Sequence, residues 1–248
     1  MAVGNSFHPD ELMPKQSMTI HDILAFLYFL ILWTGFSQVS GGRSKLVSRV
    51  SLTQLMNQYR GEWIRNALKR DLRMIDTQIM AGLQNGTGFF ASSSIFALGG
   101  CFALLGATDR VMMIYQDLPV MLESGRMAFE LKVGGLAIIF GYAFFKFGWS
   151  YRLFNYCSIR FGSIPMAEDA ETDPEKASRI VEQVIKLNIV AGSHFSAGLR
   201  AIFLSIGYLG WFVSPYAFMI ATTFVIIVLT RRQFFSDARA ALLDTFKA

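Results

Sequence analysis

Residues 131–159 read LKVGGLAIIFGYAFFKFGWSYRLFNYCSI, and this stretch decides the fold. It is apolar enough to cross a bilayer, yet it carries Lys146 near its middle and Arg152 shortly after. As a helix rising 1.5 Å per residue, it would extend roughly 44 Å. A hydrocarbon core is about 30 Å thick, so the helix crosses the membrane and projects beyond it on one side. Gly134, Gly141 and Gly148 recur every seven residues and share nearly one face, where another helix could approach closely. Lys146 lies well round from that seam, with Tyr142, Trp149 and Ser150 beside it. One bare face and one cationic, aromatic face describe a helix that is surrounded.

The rest of the chain agrees. Of 248 residues, 53% are hydrophobic and only 17% charged, and the mean hydropathy of +0.39 is too high for an ordinary soluble domain. The apolar residues gather in long runs, which predicts an all-α, polytopic helical membrane protein. The net charge of +5 follows the loops rather than forming a groove-sized patch, so nucleic acid is not an expected partner. Cys101 and Cys157, the two cysteines, are placed at opposite ends of the bundle, which excludes a disulfide. The first twenty residues hold Pro9, Pro14, Asp10 and Glu11 and lack the basic start of a secretion signal. They are expected to form an exposed arm, residues 1–18, with the first apolar run retained as a span.

Taken in order, a membrane domain over 19–235 is expected to contain five spans, near 20–39, 89–106, 132–155, 197–213 and 216–230, before a tail at 236–248. Between the first two spans, Ser51 and Gln54 form a capping-box signature. Leu52, Leu55, Met56, Tyr59, Trp63, Leu68, Leu72, Ile75 and Ile79 then recur at mostly helical spacing among five arginines and lysines. That pattern predicts one amphipathic helix lying along headgroups or on the spans. The second span is rich in small residues, Gly99 and Gly100 among them, which suits close packing. The connector segment VMMIYQDLPVML, from Val111, is apolar enough to lie in the interface. Asp173 followed by Pro174 marks a helix start, and Ser214-Pro215 interrupts the final apolar run, making two short spans.

Loop charge supports that count. Lys plus Arg number eight over residues 40–86 and four over 231–248, against one in the amino-terminal arm and none in the Ser-Pro turn. Five spans put the basic-rich segments on the cytoplasmic side, with the amino terminus outside and the carboxyl terminus inside.

The strings FFASSS from Phe89, KFGWSYRLFNYCS from Lys146, SHFSAGLRA from Ser193, WFVSP from Trp211 and RRQFFS from Arg231 together resemble the domain-of-unknown-function 599 family of bacterial and plant membrane proteins. The likeness covers most of the chain from the first span onward. It implies a helical membrane protein and no established activity. Two positions depart from the pattern: Ser196-Ala197 stand where a more polar pair is expected, and Gln233 where the family tends to have glutamate.

No catalytic, metal or cofactor motif is present in the sequence: there is no zinc-binding histidine pair on a helix, Walker loop, nucleophile elbow or dinucleotide fingerprint. What remains is cationic. A charge at membrane depth costs a few kcal/mol on insertion scales (about 3) and needs a reason. Lys146, Arg152 and Arg200, with Tyr142 and Trp149, are the candidate residues for an anion or lipid headgroup, with snorkelling to the headgroups as the plainer account of Lys146. The expected partners are lipids, anionic on the cytoplasmic side, and other membrane subunits or further copies. Three functions fit: an accessory or scaffolding subunit first, then an oligomeric channel or small transporter for an anion, then an enzyme acting on a lipid or prenyl phosphate.

Overall fold

The computed structural model describes residues 18–41, 49–116 and 125–244. The expected arm therefore lies outside the described residues but for Met18, as do residues 117–122 of the apolar connector and the last four residues. Helices run α1 Ile20–Ser40, α2 Leu52–Ala67, α3 Met74–Gly106, α4 Thr108–Gln116, α5 Arg126–Gly162, α6 Ala167–Thr172, α7 Pro174–Leu209, α8 Pro215–Phe234 and α9 Asp237–Asp244. Five of them, α1, α3, α5, α7 and the helix beginning at Pro215, are long and apolar enough to cross a membrane. A single 3-10 turn, Gly210–Phe212, links α7 to α8.

Local chemistry sets these boundaries. Thr19 and Asp22 close a reciprocal capping box at the start of α1, and Ser51 and Gln54 do the same for α2. Asp173 caps α7 with Pro174 at its first position, and Ser214 caps α8 with Pro215 likewise. Proline has no N–H to leave unsatisfied there, so each pair starts a helix cleanly. The Ser214-Pro215 break thus separates two spans, as the sequence predicts.

Two expectations change in detail. The amphipathic pattern does not form one helix: α2 ends at Ala67, and Leu72, Ile75 and Ile79 fall in the following turn and in α3. There Arg73 leaves the helical path and donates to the carbonyls of Ile164 and Pro165, each at 2.6 Å. The helix that carries the expected second span begins at Met74, well before Phe89, because the polar stretch from Gln84 stays helical. Gln84 Nε2 lies 2.9 Å from both Asn155 Oδ1 and Ser158 Oγ on α5, which satisfies its amide between helices. The other change is at the carboxyl end. Residues 237–244 are a helix docked on α2, with Tyr59 donating to the Leu242 carbonyl at 2.9 Å and Arg239 to that of Val50 at 2.8 Å.

α5 is the axle of the bundle, packed between α3 and α7, while α8 packs on α7 and α1 on α8. α2 crosses the end of α7 at what is called here the basic end, and the opposite end carries the α7–α8 turn. Two groups of rings fill the core. Phe29, Tyr208, Trp211 and Phe218 meet with centroids 5.1–5.7 Å apart, and Phe90, Phe147 and Phe195 form a second group. Offset and edge-on contacts of this kind add to packing, which is the main attraction between helices in lipid.

Candidate functional site

Of the residues that the sequence groups as an anion site, the structure sets Lys146 and Arg152 on different aromatic rings. Lys146 Nζ sits 5.2 Å above the Tyr142 ring. Arg152 lies over Trp149 and Tyr156, at 6.0 and 5.5 Å, and its Nε donates to the Tyr156 hydroxyl at 2.5 Å. Six residues apart on one helix, the two cations project about 120° from each other. Arg200 is half-buried on α7. Each α5 cation thus occupies its own aromatic platform, a favourable arrangement for a charge leaving water. The groove described below is lined by none of Lys146, Arg152, Arg200, Tyr142 and Trp149.

The packing glycines make no close approach within the chain itself. A Cβ built on Gly134, Gly141, Gly148, Gly99 or Gly100 meets no heavy atom of the rest of the chain within 4 Å. The reason is their angle: the buried side of α5 carries Leu136, Ala143, Phe147, Ser150, Phe154 and Cys157, and a seven-residue series through Gly141 lies on the opposite side. Close approach inside the chain uses other glycines. Tyr208 lies against Gly135, Phe147 against Gly198, the Thr222 backbone against Gly207 and the Ala217 backbone against Gly210.

At the end opposite α2 the structure assembles a polar group that sequence spacing does not reveal. Asp22 on α1 accepts from Trp211 Nε1 at 2.7 Å. Lys132 Nζ on α5 is 3.8 Å from the same carboxylate oxygen and 5.7 Å from the Trp211 ring. Tyr208 donates to the Lys132 carbonyl at 3.0 Å. Asp22 is 8% exposed and Lys132 4%, so this ion pair is enclosed in protein. A charge buried among apolar helices persists only when paired and hydrogen-bonded. The sequence signal was present in weak form, as single charges at the entries of two apolar runs, but the 109 residues between them hide the pairing.

The basic end holds a second polar group. Arg60 on α2 donates through Nη1 to the side-chain carbonyl of the buried Asn188 on α7, and its guanidinium lies 6.0 Å from the Phe154 ring. Burial pushes the Arg60 guanidinium below its ordinary value. Asn188 Nδ2 in turn faces the sulfurs of Met80 and Cys157, each at 3.7 Å. Nearby, the fully buried Asp76 accepts from Trp63 Nε1 at 2.7 Å and pairs with Arg70 at 2.6 Å. Gln233, at the departure from the family pattern, donates to Thr53 at 2.7 Å and so ties α8 to α2 without a charge. Cys101 and Cys157 are both buried free thiols.

Fold and sites together define a polytopic helical membrane protein whose polar groups clasp helix to helix. The chain belongs to the family described as protein of unknown function, DUF599, whose model matches residues 24–238. No curated protein and no solved structure matches it.

Proposed function

We propose that this chain is an accessory subunit of a bacterial inner membrane, basic end in the cytoplasm, that assembles with other membrane proteins, a further copy of itself being the simplest case. The observation that carries this reading is the outward face of α5. Gly134, Gly141 and Gly148 lie there in register with open space above each, on a helix of 37 residues. Ile138 and Phe145, on the same side, are 74% exposed. Lipid gives no hydrophobic gain to helix association, so a face of small residues that lets backbones approach is what drives it. The ring-filled core favours assembly over transport through one chain, and the polar groups hold helices together rather than line a path.

Sizing in mild detergent, coupled to light scattering, tests the reading. The parent should run as a defined assembly larger than one chain, and Gly141→Leu should shift it toward the single chain. Gly35→Leu, at an equally open glycine on α1, should leave it unchanged. A parent that runs as a single chain, or a Gly141→Leu assembly identical to the parent's, would refute the proposal.

A further inference from the structure

Beside the basic end, where α5 and α7 run out of their apolar stretches, the two helices enclose an open groove of about 420 Å³ lined by Arg160, Gln183, Lys186, Leu187 and Val190. Its walls change character along its length. Leu187 and Val190 form the apolar upper part, with Val190 45% exposed and Ile159 of α5, one residue before Arg160, 75% exposed. Arg160 and Lys186 stand at the lower rim. Trp149 and Tyr156, both exposed, sit on the same side of α5 above Arg160. Such aromatics mark the level where a membrane meets water.

The cationic rim is prepared for an anion. Arg160 Nε donates to Gln183 Oε1 at 2.9 Å and Nη1 to Ser163 Oγ at 3.2 Å, which fixes the guanidinium plane. Its Nη2 has no partner among the described residues. Among the described residues no carboxylate lines the groove, and the acidic residue next to it in sequence, Glu182, is engaged by Arg65 at 2.9 Å. A planar guanidinium beside an ammonium matches a phosphate, and the apolar wall above matches an acyl chain.

We propose that this groove binds one anionic phospholipid, its phosphate between Arg160 and Lys186 and an acyl chain along Leu187 and Val190. This site is separate from the outward glycine face and does not depend on assembly. It differs from simple snorkelling in requiring both the charges and the apolar wall, because snorkelling cations need only reach the headgroups.

Native mass spectrometry of the full chain, released from nanodiscs of equal phosphatidylglycerol and phosphatidylcholine, reads the site directly. The parent should retain phosphatidylglycerol in preference. Arg160→Gln and Lys186→Gln should each reduce that preference about fivefold, as expected for loss of one cation near a membrane surface. Val190→Trp keeps both charges but fills the wall, and should also reduce it. Arg231→Gln, at an exposed cation of α8 that does not line the groove, should have no effect. Glycerol phosphate, which lacks acyl chains, should not compete. Equal retention in the parent, the Arg160→Gln/Lys186→Gln double variant and Val190→Trp would overturn the proposal. So would a loss in Arg231→Gln as large as that in Lys186→Gln, or full competition by glycerol phosphate. Thermal unfolding of each variant, unchanged because the substituted side chains are on the surface, separates site loss from misfolding.

Discussion

The Phe147 ring lies directly against Gly198, so close that a Cβ on Gly198 would stand 2.7 Å from the ring edge. Phe147 is fully buried and projects from α5 toward α7, and only a residue without a side chain can receive it. Gly198→Leu should therefore force the two central helices apart. Overpacking of this kind costs about 1–3 kcal/mol, and thermal unfolding in detergent should show a lower midpoint. Gly141→Leu, which meets open space inside the chain, should leave the same midpoint unchanged when measured on the dissociated chain. A Gly198→Leu variant as stable as the parent would mean that the α5–α7 contact lies elsewhere.

The Asp22–Lys132 pair makes a second, independent prediction. Removing one partner of a buried ion pair costs more than removing both, because the survivor is left as an uncompensated charge. Asp22→Ala and Lys132→Met should each destabilise by about 3–5 kcal/mol, while the double variant should recover part of that loss. Trp211→Phe, which deletes one hydrogen bond to Asp22, should cost about 1–3 kcal/mol. A double-variant cycle from unfolding midpoints measures the coupling, and strict additivity of the two single changes would show that the pair is not coupled.

Orientation is open to a chemical test. In a variant lacking Cys101 and Cys157, a cysteine placed at Ser214, in the α7–α8 turn, should react with an impermeant maleimide from outside the cell. A cysteine at Ala248 should react only after permeabilisation. Outside labelling at Ala248 would exclude the five-span topology with the carboxyl terminus inside.

What the sequence revealed and what it hid follow from range. Capping pairs are local, so Ser51 with Gln54, Asp173 with Pro174 and Ser214 with Pro215 could be read directly and do start helices. Span number follows from apolar runs and was equally legible. Helix rotation was not. Gly134, Gly141 and Gly148 share a face on any helical wheel, but nothing local says whether that face turns inward or outward, and here it turns outward. Lys146 and Arg152 look like neighbours in sequence, yet six residues of helical rotation part them onto separate rings. The buried partners, Asp22 with Trp211 and Arg60 with Asn188, are joined across 189 and 128 residues, and no spacing rule reaches that far.

Arg60 decides how firmly α2 is held to the bundle. Its guanidinium reaches across to α7, bonding Asn188 and resting against the bare backbone at Gly192, where an added Cβ would stand 3.1 Å from Cζ. Asn188 is fully buried, so deleting Arg60 leaves its side-chain carbonyl without that donor, at a cost of about 1–3 kcal/mol. The other ties of α2 survive such a change: Trp63 with Asp76, Thr53 with Gln233 and Tyr59 with the Leu242 carbonyl. Arg60→Ala should therefore loosen α2 locally without unfolding the spans. Hydrogen exchange by mass spectrometry should rise in peptides covering residues 57–64 and stay at parent levels in the middle of α5. Arg60→Lys should fall between, since an ammonium can reach Asn188 but lacks the planar fork that also covers Phe154 and Gly192. Gly192→Ala should produce a weaker form of the same change, because the arginine tip can shift by a few tenths of an ångström to make room. Unchanged exchange over 57–64 in Arg60→Ala would mean that the apolar contacts of Leu55, Ile64 and Ala67 hold α2 by themselves.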